Sequence, residues 1–90
     1  MNAKHFHEEW SFRVVFTKDG KQVRETRYDR HDWSPFQTEE EARKHMHLIV
    51  GVFTEMLEKG GGVGVLAGEA FDAYEVYAPV RRIVTEWEDQ

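Results

Sequence analysis

The sequence predicts an α+β fold: one helix packed on a small, three- to four-stranded, mostly antiparallel sheet, in the order ββαβ or ββαββ. Three observations predict it. Residues 38–60 combine capping signals with apolar residues at helical spacing. Residues 10–17 alternate between apolar and polar in period two. Residues 70–87 resume a strand pattern, after a run of glycines that no helix would carry. The ninety residues read as one domain, 1–90, with 1–8 as a flexible lead-in. That length supports one modest core.

The first strand places Trp10, Phe12, Val14 and Phe16 on one side, and Ser11, Arg13, Val15 and Thr17 on the other. Residues 17–21 then form a hairpin loop, with Gly20 in the left-handed position of a three-residue turn. Counting back from Thr17 opposite Lys21 pairs Val15 with Val23, Arg13 with Glu25, Phe12 with Thr26 and Trp10 with Tyr28. The second strand, from about 22 to 30, turns Arg24, Thr26 and Tyr28 toward the core. This polar set marks an edge strand, blunted by arginine. Residues 31–36 are a loop whose Trp33 and Phe36 are expected under the helix start.

In the helix, Thr38 followed three residues later by Glu41 is a capping box. Glu39, Glu40 and Glu41 complement the positive end of the dipole, and Lys59 the negative end. Ala42, Met46, Ile49, Phe53, Met56 and Leu57 share one face. Leu48, Val50 and Val52 widen it, so one flank is expected to touch a long loop or a partner. Gly51 costs about 1 kcal/mol relative to alanine inside a helix. A closely packed neighbour or a kink would account for it. Gly60 is expected as a left-handed C-cap.

The glycine-rich segment 60–68 is a flexible connector with a short strand available at 63–66. Pro79 cannot donate to a ladder and marks a bulge, a bend or an edge. Residues 70–87 are therefore one long bent strand or two strands joined at a kink. A sheet with a single helix leaves its other face open. Val15, Val23, Tyr74, Val76 and Val84 are the candidates for that face, and an exposed apolar face calls for a partner or a second copy.

Composition narrows function by exclusion. Hydrophobic residues make up 40% and aromatic residues 13%, which describes a globular chain. There is no cysteine, so neither a disulfide framework nor thiolate chemistry arises. The N-terminal stretch lacks the apolar core of a signal peptide, and no run of about 18 apolar residues exists. A formal charge of −5 repels phosphate backbones unless basic residues cluster.

No motif carries recognisable chemistry or a cofactor. The glycines at 62, 64 and 68 follow a helix rather than open one, so they are not a phosphate-binding loop. His5, His7 and Glu9 form a weak metal set, and His45 and His47 lie about 200° apart around the helix. His31 beside Asp32 lacks a nucleophile. The chain therefore reads as non-enzymatic. Arg24, Arg27, Arg30, Arg81 and Arg82, with Tyr28 and Tyr74, could line a platform for single-stranded nucleic acid. The first reading is nevertheless a protein-interaction module that binds a partner protein or itself, as a homodimer, through the open sheet face and by strand addition. The expected contacts are Arg24, Tyr28, Tyr74, Tyr77, Arg81 and Trp87, of the residue types that anchor interfaces.

Two stretches also resemble known proteins. Asp32–Trp33–Ser34–Pro35–Phe36–Gln37–Thr38–Glu39–Glu40–Glu41–Ala42–Arg43, preceded by Arg27–Tyr28–Asp29, is similar to the middle of small actinobacterial and actinobacteriophage proteins. Arg81–Arg82–Ile83–Val84–Thr85–Glu86–Trp87–Glu88 resembles their closing strand. The resemblance implies an accessory protein of phage origin, made in a bacterial cytoplasm and acting on a host protein. It brings no catalytic residues with it.

Overall fold

The computed structural model describes residues 2–31 and 34–88, with side chains described over 7–30 and 34–84. The architecture is α+β: one helix lies on a three-stranded antiparallel sheet, beside two small hairpins. Strand β1 spans Asn2–Lys18, β2 Lys21–Tyr28, β3 Arg30–His31 and β4 Ser34–Pro35. Helix α1 spans Glu39–Lys59, followed by β5 Gly64–Leu66, β6 Glu69–Phe71 and β7 Ala73–Glu88. The sheet order is β2-β1-β7, so β2 is an edge strand and β1 is central.

The hairpin between β1 and β2 is tighter than expected. Its two loop residues, Asp19 (φ 53°) and Gly20 (φ 79°), are both left-handed, as in the mirror-image turn that matches strand twist. Lys18 pairs with Lys21, and the register shifts beyond Thr17 so that Phe16 meets Arg24 and Phe12 meets Tyr28. Val23 is the extra residue at that bulge and packs against the core. The body of the pairing is thus offset by two residues from the expected one. An offset of two keeps every side chain on its face, so Arg24, Thr26 and Tyr28 still turn toward the helix. Arg13 faces Arg27 instead of Glu25, yet its guanidinium still reaches the Glu25 carboxylate diagonally at 2.6 Å.

The stretch 2–8, expected as a frayed lead-in, is strand throughout and pairs with the end of β7. Strand β7 is one continuous strand across Pro79. Ser11 pairs with Val80 and Arg13 with Tyr77, so Ala78 and Pro79 together oppose Phe12 in a bulge. Proline is tolerated there because the ladder is already interrupted.

The helix starts and stops where its signals lie. Thr38 Oγ1 accepts the Glu41 N–H at 3.1 Å, and Glu41 Oε2 accepts the N–H of Gln37, one residue before the cap. The left-handed residue at the far end is Gly61 (φ 67°), one later than expected, while the cap Gly60 has φ −89°. Gly61 donates to the Glu58 carbonyl and Gly62 to the Leu57 carbonyl, the two bonds of a Schellman ending.

The core lies between α1 and one face of the sheet: Phe12, Val14, Phe16, Phe36, Ala42, Phe53 and Phe71 are buried together. Phe16 meets Phe53 and Phe71 edge-on, each at 4.9 Å between centroids. Met46, Ile49, Met56 and Leu57 pack around this cluster from the helix. Phe36 enters the core as expected for the segment before the helix, whereas Trp33 lies outside the described residues. Leu48 and Val52 remain exposed, and nothing stands within 4 Å of a Cβ placed at Gly51. Neither the expected close neighbour at Gly51 nor a covering loop over that flank is present among the described residues.

The open face differs from expectation too. Tyr74 and Val76 pair with Phe16 and Val14 and pack on the helix side. The face away from the helix carries Arg13, Val15, Glu25, Arg27, Glu75 and Tyr77, so it is mainly polar. Sequence alternation in 74–77 fits either phase, because both sets contain a tyrosine.

Candidate interaction site

Beyond the core the sheet narrows. Pairing of β1 with β2 ends at Phe12 and Tyr28, and one further bridge ties Trp10 to Phe36 through the Trp10 N–H and the Phe36 carbonyl, 2.8 Å. From Glu9 back to Asn2, β1 pairs only with β7, among the described residues. The two strands form a ribbon that projects past the helix. The molecule measures 59 × 22 × 20 Å, with a radius of gyration of 16.7 Å. A compact chain of this length would have about 12 Å.

Alternation along β1 determines where the free backbone groups point. The Trp10 N–H faces away from β7, toward Phe36. Glu8, two residues earlier, presents its N–H and carbonyl on that same outer edge. Paired β1 and β7 hold the ribbon together with ion pairs on both faces. Glu8 accepts from Arg81 at 3.0 Å on the side of Trp10, whose indole N–H also reaches Glu8 at 3.3 Å. Glu9 accepts from Arg82 at 2.8 Å on the opposite side and contacts His7 at 2.9 Å. The Arg82 guanidinium, and secondarily His7, hold the Glu9 carboxyl below the ordinary range, and Glu9 in turn raises Arg82.

The structure separates the residues expected to make contacts. Arg24, Tyr28, Tyr74 and Arg81 lie on the helix side and Tyr77 on the other. Tyr28 stacks on Phe12 at 5.0 Å, and burial raises its phenol above 10.0. Tyr74 shares a 2.7 Å hydrogen bond with Thr54 and donates to the Val50 carbonyl, which fastens sheet to helix. Arg24 reaches Glu69 at 3.5 Å, while its Nε and Thr26 Oγ1 are buried without a hydrogen-bond partner among the described residues. Trp87 pairs with Ala3 through the ribbon backbone, and its side chain lies outside the described residues. Two of the six, Tyr28 and Tyr74, thus serve packing: an aromatic at a sheet position satisfies core and interface rules alike.

Sequence reasoning missed the ribbon edge. The only signal was the length of the polar stretch 2–9 matched by an equally long strand pattern near the end of the chain. Among the described residues, no group of three or more His, Cys, Asp or Glu side chains could hold a metal ion. The histidine pair on the helix is split, with His45 packed among Phe12, Tyr28 and Phe36. The side chains of His5 and His31, and all of Asp32, lie outside the described residues. No helix among the described residues is long and apolar enough to cross a membrane. No family model, curated protein or solved structure matches the chain.

Proposed function

We propose that the protein is a non-enzymatic interaction module that takes up a partner strand along the projecting ribbon. The outer backbone edge of β1 between Asn2 and Glu9, along which no second strand is paired among the described residues, carries this reading. A two-stranded ribbon is marginal in water by itself, and a third strand supplies the missing ladder. The partner is another protein or a second copy. Under the resemblance to phage accessory proteins it would be a host protein in a bacterial cytoplasm. Nucleic-acid binding by the strand arginines is the weaker reading, because four of the five, Arg24, Arg30, Arg81 and Arg82, are each paired with a carboxylate.

Light scattering after size exclusion, together with affinity capture from the host, tests the proposal. Glu8→Pro removes an N–H from the outer edge while leaving the inner ladder to β7 in place. Loss of self-association or of the captured partner, with a folded core by circular dichroism, is the expected result. Full binding by Glu8→Pro would rule out strand addition at this edge.

A further inference from the structure

The face of the sheet away from the helix carries a second feature, separate from the ribbon edge. One row crosses all three strands: Arg27 on β2 stands directly opposite Arg13 on β1, and Arg13 directly opposite Tyr77 on β7. Like charges directly opposed across an antiparallel pair are destabilising. The Arg13 guanidinium is held firmly: it lies 4.0 Å from the centre of the Tyr77 ring and donates to Glu25 at 2.6 Å. A guanidinium has five N–H donors, so this leaves donors for another acceptor. Arg27 is exposed and makes no ion pair among the described residues.

Of the neighbouring carboxylates, Glu25 is held by Arg13 and Glu75 accepts from the Tyr77 hydroxyl at 3.5 Å. Glu9 pairs with Arg82 and Asp29 with Arg30. Along the next row Ser11 faces Val80, which is 61% exposed. Ser11, Arg13, Arg27, Tyr77 and Val80 line a groove of about 440 Å³. The groove thus combines two guanidinium groups, one of them lying on the Tyr77 ring, with the exposed side chain of Val80.

We infer that this row binds an organic oxyanion, a carboxylate or phosphate group carried on an apolar or flat body. The anion sits between Arg27 and the remaining donors of Arg13, because guanidinium forks match both oxyanions. The body lies against Tyr77 and Val80. The bulge at Ala78–Pro79 interrupts the ladder between Tyr77 and Val80, and Ala78 lines the groove there.

Amide chemical-shift titration of the full chain tests this, with benzoate, phenyl phosphate, neutral benzamide and a capped Glu-Phe dipeptide as probes. The anions are expected to move the amides of Ser11, Arg27, Tyr77 and Val80, and benzamide to leave them in place. Tightest binding of the dipeptide assigns the site to an acidic protein segment, and tightest binding of benzoate or phenyl phosphate to a free small molecule. Arg27→Gln is expected to weaken anion binding about tenfold or more. It leaves the fold intact, since it relieves a like-charge pair at an exposed position. No shifts with either anion at about 10 mM, equal shifts with benzamide, or unchanged binding by Arg27→Gln would each overturn the inference. Arg27→Gln leaves the ribbon edge untouched, so this result and the Glu8→Pro result are read separately.

Discussion

The two ends of the β1–β7 pair share one ladder and differ in almost everything else. At one end, Phe16 opposite Tyr74 and Val14 opposite Val76 lie beneath α1, and burial holds the strands together. At the other, Glu8 and Glu9 grip Arg81 and Arg82 across an uncovered ribbon. Hydrophobic burial near 25 cal/mol per Å² makes the first end the source of global stability. Exposed ion pairs contribute little, so the second end is held mainly by its backbone, and among the described residues no third strand pairs with it.

The strongest way to break the contrast is to remove the covered end. Phe16→Ala vacates the junction of Phe53 and Phe71 and should cost about 3–5 kcal/mol in urea unfolding. Amide protection should then fall in the core and ribbon alike. Gly64→Ala tests the same packing from the side. Its new Cβ would sit 2.6 Å from Phe71 Cζ and 3.0 Å from Met56 Sδ, for a loss of about 1–3 kcal/mol. Gly51→Ala meets nothing and should instead raise the unfolding midpoint, gaining about 1 kcal/mol. A loss there would mean that the helix needs its glycine.

Acid and alkali should separate the two ends. The Glu9 pKa is lowered from 4.5 by Arg82 and His7. Its contribution is therefore complete above about pH 4.5 and fades as pH falls through the lowered value. Hydrogen exchange near pH 3 should show ribbon amides opening before core amides, and Glu9→Gln should remove that step. Tyr28 behaves in the opposite sense. Its pKa is raised from 10.0 by burial, so stability is complete below about pH 10 and falls as pH rises further. The expected signature, the smallest of the set, is an alkaline drop in core stability that Tyr28→Phe flattens.

Much of the covered end was legible in the sequence. Thr38, Glu41 and the glycines after Lys59 announce the helix through local hydrogen bonds, which depend on nearby residues only. Phe12, Val14 and Phe16 announce the buried strand by alternation. The register of the first hairpin was not legible, because Asp19-Gly20 and a three-residue turn both fit the same residues. What decides is a bulge at Val23, set by packing against the core. The ribbon was hidden for a different reason. Its partner strands lie at opposite ends of the sequence, and polar residues 2–9 show no burial pattern. The row of Arg27, Arg13 and Tyr77 depends on both registers at once, so no single stretch contains it.

The sheet order β2-β1-β7 also bears on how the molecule is made. The central strand comes first along this sequence and one of its two neighbours comes last. The β1–β2 hairpin and α1 close over short distances and form early, while β7 must find β1 across most of the chain. Until residues 73–88 leave the ribosome, the central strand has one whole flank bare. During that interval the nascent chain presents its longest sticky surface, one suited to trapping by chaperones or by a neighbour on the same message.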